Sequence, residues 1–78
     1  MKSMHDTREF LDRMAECLEL PEVAADYEFR SGPEWSSLQG FAILVSLETE
    51  FDRPMMVDEF LTMRTVGDLA RACGVEGV

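Results

Sequence analysis

The sequence predicts an all-α protein, a small four-helix bundle with a long loop between helices I and II and a short helix III. Three observations carry this expectation. The chain has 78 residues, 46% apolar and 29% charged, which is enough apolar side chain for one small core and too little length for a second. Apolar residues recur at helical spacing in several separate segments. No stretch alternates apolar and polar side chains for the length of a sheet strand, and repeats and low-complexity tracts are absent. Residues 1–78 are therefore expected to form a single domain.

Helix I is expected over about residues 6–19, where Phe10, Leu11, Met14, Cys17 and Leu18 fall on one face of a helix with 3.6 residues per turn. Asp6 opens it as N-cap, with Glu9 three positions on in the manner of a capping box, and Pro21 closes it. Residues 21–35 lack sustained periodicity and hold Pro21, Gly32 and Pro33, so they form a loop that Tyr27, Phe29 and Trp35 can pin to the core. Helix II follows over about 37–51, with Ser36 as N-cap, Ser37 as first helical residue and Gln39 completing a capping box. Asp52, Arg53 and Pro54 break it, because proline lacks an N–H and disfavours helical geometry in the residue before it. Helix III is expected over about 58–63, turning Phe60, Leu61 and Met63 inward. Helix IV spans about 66–73, with Thr65 as N-cap, a stripe of Val66, Leu69, Ala70 and Cys73, and Gly74 as the stop.

Helix II has two apolar faces. At 100° per residue, Leu38, Phe41, Ala42 and Val45 form one stripe, and Ile43, Leu44, Leu47 and Phe51 centre almost opposite. From Trp35 through Leu47, thirteen residues carry no charge, where average spacing would place roughly four. So small a domain cannot cover every side of one helix. The bulkier stripe is expected in the core, leaving Leu38, Phe41, Ala42 and Val45 for a partner; the alternative is that loop 21–35 folds over them.

Charge and composition narrow the function classes. Seven basic against sixteen acidic residues leave a net charge of −9, which repels phosphate backbones and anionic membrane surfaces, so nucleic acid is not an expected partner. No apolar run approaches the roughly 18 residues that span a bilayer, so membrane insertion is not expected. The opening Met1-Lys2-Ser3-Met4-His5-Asp6 lacks the apolar stretch of a secretory leader, and the expected location is cytoplasmic, with Cys17 and Cys73 reduced. The single histidine, His5, stands near the terminus, so hydrolysis by a serine or cysteine with a histidine base is not expected. The carboxylates Glu48, Glu50, Asp52, Asp58 and Glu59 show no EF-hand spacing and are read as solvated surface, with no metal site.

Taken together, helix I, the long loop, Ser-Leu at the start of helix II, its end at Leu47-Glu48-Thr49-Glu50-Phe51, the short helix III and the closing Thr65-Val66-Gly67-Asp68-Leu69 resemble an acyl carrier protein over nearly the whole chain. The most specific piece is Ser36-Ser37-Leu38, which matches that family's Asp-Ser-Leu attachment motif, with Phe51 fourteen residues beyond Ser37 as in the family. The resemblance implies a bundle of acyl-carrier-protein type whose Ser37 receives 4′-phosphopantetheine from coenzyme A, in a magnesium-dependent reaction of a separate phosphopantetheinyl transferase. Such a carrier is not an enzyme. It holds acyl groups as thioesters on the thiol of the arm and presents them, as a monomer, to acyl-loading and acyl-processing enzymes. The expected partner-binding residues are Leu38, Phe41, Ala42, Val45, Glu48, Met55, Met56, Asp58 and Glu59. A serine at the first position of a helix suits the role, because a phosphodiester there meets free backbone N–H groups and the positive end of the helix dipole.

Three positions depart from the family pattern. Its usual aspartate before the serine is Ser36 here, which keeps a capping oxygen and loses a charge, and its early acidic positions on helix II are Gln39 and Ala42. These differences point to a specialised fatty-acid, polyketide or related lipid pathway. The alternatives are a peptidyl or aminoacyl carrier, and an unmodified helical adaptor that binds proteins through the same apolar face.

Overall fold

Short polar side chains mark where three of the helices begin. Asp6 accepts from the Glu9 N–H at 2.7 Å, Ser36 from the Gln39 N–H at 3.4 Å and Thr65 from the Asp68 N–H at 3.1 Å, each satisfying a backbone donor that the first turn leaves free. In this computed structural model, which describes residues 6–32 and 35–75, the helices are α1 (Thr7–Leu18), α2 (Ser37–Thr49), α3 (Val57–Phe60) and α4 (Val66–Ala72). No strand occurs among the described residues. The all-α, four-helix expectation therefore holds. His5 and Pro33 lie outside the described residues.

Backbone geometry closes α1 before the proline does. Glu19 takes the left-handed conformation (φ 60°), its N–H donates to Glu16 O at 3.1 Å, and Leu20 N–H donates to Ala15 O at 2.9 Å. This is the paired closure that glycine usually makes. Gly74 (φ 74°) makes the same closure after α4, with Gly74 N–H to Arg71 O and Val75 N–H to Ala70 O.

Two local expectations need correction. Helix III, expected over 58–63, is one turn at Val57–Phe60, and Leu61 is 53% exposed instead of inward. The cause lies in the carbonyls: Arg30 Nη2 donates to Leu61 O and Met63 O at 2.9 and 2.6 Å, while Thr62 and Met63 N–H groups fold back on Glu59 O and Phe60 O. The chain is drawn into tight turns that swing Leu61 outward. At α2 only half of the expected capping box forms, since the Gln39 amide reaches across to Leu18 O at 3.4 Å. That carbonyl is one of the four at the end of α1 without an intrahelical donor, and it competes for the amide.

The core lies between α1, α2 and α4. Phe10, Met14, Ile43, Leu47, Val66 and Leu69 are fully buried, and the Phe10 and Phe51 rings meet at 4.8 Å. Loop 21–35 is anchored as expected: Phe29 is buried, and Tyr27 O and Ala25 O accept from the Val66 and Gly67 N–H groups. Those are first-turn donors of α4, so the loop caps that helix from outside. Arg53 braces the other end, donating to Ala72 O at 3.2 Å, Pro54 O at 2.9 Å and Glu59 Oε2 at 2.6 Å.

Asp68 links this packing to pH. N–H donors of Arg64 and Thr65, with the Arg71 guanidinium, hold its carboxyl below the ordinary value of about 3.9. A carboxyl depressed in the folded state stabilises it above the unfolded value, and that contribution fades as pH falls through the folded value. Asp68→Asn is expected to lower the melting temperature at pH 7, with the gap to the parent narrowing toward pH 3. Parallel thermal melts at the two pH values measure it, and an equal gap at both would remove the carboxylate from the account.

Candidate functional site at the start of α2

Ser36 is extended (φ −146°, ψ 165°) and Ser37 is the first residue inside α2. Both are exposed, and the first turn carries no acidic side chain. What holds this helix start in place is Trp35. Its indole meets the Phe29 ring edge-on at 5.9 Å and stacks against Phe60 at 6.4 Å. Gly40 makes the approach possible, because a Cβ there would stand 3.2 Å from the indole. The residue before the serines is thus fixed against the core while the serines face solvent. Trp35 acts here as a packing anchor.

The two faces of α2 separate as expected. Ile43, Leu47 and Phe51 are buried and Leu44 partly so, whereas Leu38 is 80% exposed, Phe41 67% and Val45 39%. The described part of loop 21–35 does not fold over them. Ala42 is half-buried in a shallow groove of about 470 Å³ between α1 and α2, whose acidic edge is Glu16 and Glu19. Glu48 near the end of α2 is exposed, and beyond the helix Met56 is 73% exposed and Asp58 is also exposed. Met55 instead packs against the core, and the Glu59 carboxylate is taken up by Arg53 at 2.6 and 3.4 Å. Of the nine residues expected to meet partners, these two also make contacts within the fold.

The cysteines are half-buried and unpaired. Burial pushes the Cys17 thiol up despite Ser46 Oγ at 3.4 Å, and it pushes Cys73 up to about 11, so both are protonated at neutral pH. Neither is an activated nucleophile. Among the described residues, no group of three or more His, Cys, Asp or Glu is arranged to hold a metal ion, and no helix is long and apolar enough to cross a membrane.

Chemically, the site offers an accessible hydroxyl at the positive end of a thirteen-residue helix, in a setting that favours a bound phosphate ester. Sequence reading missed Gly40, although a glycine inside a helix signals close approach of a neighbour, and it missed the acidic edge contributed by α1. No family model, curated protein or solved structure matches the chain.

Proposed function

We propose that this chain is an acyl carrier protein whose Ser37 bears 4′-phosphopantetheine and whose α2 face presents acyl thioesters to processing enzymes. The observation that carries the reading is an exposed serine at the first position of α2, beside an exposed apolar face of Leu38, Phe41 and Val45. Its position within Ser36-Ser37-Leu38 and its spacing to Phe51 are the features that resemble the family. With both thiols half-buried and protonated, the reactive sulfur of a thioester carrier has to arrive on the arm. The serine at position 36 supports a specialised pathway served by its own transferase, in place of general fatty-acid synthesis.

Co-expression with a competent phosphopantetheinyl transferase is expected to raise the intact mass by one phosphopantetheine. An unchanged mass with several transferases would favour the adaptor reading, which uses the same apolar face without cargo. Loading by an adenylating enzyme in place of an acyl-transfer enzyme would favour the peptidyl or aminoacyl carrier.

The exposed face also sets the expected energetics of docking. Interface hot spots are desolvated apolar anchors, typically worth about 2 kcal/mol or more, whereas an exposed rim charge contributes about 1 kcal/mol or less. Phe41→Asp or Val45→Asp is therefore expected to weaken an acyl-processing partner about thirtyfold, and Glu48→Gln less than about fivefold. Calorimetric titration of the three variants tests the order, and its reversal would make acidic charge the main docking force.

A further inference from the structure

Beside the helix start, the fold leaves an apolar cavity that the carrier reading does not use. It measures about 210 Å³ and lies between the end of α1, the loop residues 20–32 and the start of α2. Its walls are Leu18, Leu20, Tyr27, Phe29 and Trp35, completed by Gly32 and Gln39, and none of these side chains is charged. We propose that this cavity is a non-covalent binding site for a small neutral aromatic compound, a single ring of phenol size.

Size comes first. An enclosed apolar cavity of about 150 Å³ takes up benzene, and this half-open pocket of about 210 Å³ has room for a ring with one or two small substituents. Three of the walls are aromatic, and a ring can pack against them edge-to-face or offset, adding about 0.5–1.5 kcal/mol per pair beyond the area buried. Charge comes next. Among the described residues no cation or anion lines the cavity to compensate a buried charge, and the net charge of −9 further disfavours an anionic ligand. Polar handles complete the fit: the Tyr27 hydroxyl and the Gln39 amide can meet one hydroxyl on the ring. Gly32 leaves the Tyr27 hydroxyl room, since a Cβ at that position would stand 2.9 Å from it. The site stands whether or not Ser37 is modified.

The chain contains one tryptophan, so its emission reports on this cavity directly. Titrating the full chain with para-cresol is expected to change Trp35 emission saturably and to shift the amide resonances of residues 18–20, 27–32 and 35–39. Gly32→Val, which crowds Tyr27, is expected to weaken binding about tenfold or more, while Phe41→Asp, on the exposed α2 face, leaves it unchanged. Cyclohexanol and 4-hydroxybenzoate are expected to bind at least about tenfold more weakly than para-cresol. Cyclohexanol binding as tightly as para-cresol would overturn the aromatic preference. Resonance shifts confined to residues 38–45, or loss of binding in Phe41→Asp, would place the ring on the open surface and overturn the site. Neither result bears on whether Ser37 accepts phosphopantetheine.

Discussion

Ser37→Ala is expected to gain no mass when the parent chain gains one phosphopantetheine, and to melt at the same temperature as the parent. The two halves of this result have separate physical causes. The hydroxyl is the only oxygen at that position able to form the phosphodiester, so its removal leaves nothing to esterify. Its loss costs the fold little, because Ser37 is exposed and alanine is the residue best suited to a helix, so the change in stability should stay within about 0.5 kcal/mol. Ser36 gives the opposite pattern. Its side chain accepts the Gln39 N–H, so Ser36→Ala is expected to lower stability by about 1 kcal/mol while leaving the neighbouring hydroxyl in place. Ser36→Asp keeps the cap and restores a negative charge at the helix start, and it should accelerate priming by a general transferase. Intact-mass spectrometry over a time course, with a thermal melt of each variant, reads all of this. Modification surviving in Ser37→Ala would move the attachment to another residue and end the carrier reading for this serine.

The helix starts were legible in the sequence because capping is local: Asp6, Ser36 and Thr65 each act on a backbone N–H three residues away. The division of α2 was legible for a similar reason, since side-chain bulk at fixed angular spacing selects which stripe the core takes. What escaped depends on contacts between residues distant in sequence. Arg30 reaches 31 and 33 positions along the chain to the carbonyls that cut α3 short, and Gln39 leaves its own cap for a carbonyl 21 positions back. Met55 packs against the core and Glu59 pairs with Arg53, contacts that their places in the sequence do not reveal. Long polar side chains have several possible acceptors, and only the packed fold decides among them.

Phe60→Ala is expected to cost about 3–5 kcal/mol and to release α3 from the domain. A helix of four residues lies far below the length at which isolated helices hold together in water, so α3 depends on what it buries. Phe60 is its single buried side chain, lying 5.4 Å from the Phe29 ring and 6.4 Å from Trp35, while Val57 and Leu61 stay in solvent. A domain of this length has a total stability of only about 4–12 kcal/mol, so the loss reaches about a quarter of it or more. The effect should spread to the helix start, because the same ring supports the indole that fixes the residue before the serines. Trp35 emission is therefore expected to shift toward that of a hydrated indole at denaturant concentrations where the parent is still folded. Leu61→Ala is the matched control: it removes a side chain of similar apolar character that is 53% exposed, and it should change stability by less than about 0.5 kcal/mol. Urea unfolding followed by circular dichroism and tryptophan emission measures both. Equal losses in the two variants would mean that α3 is held by its backbone and by Arg53 more than by the aromatic cluster.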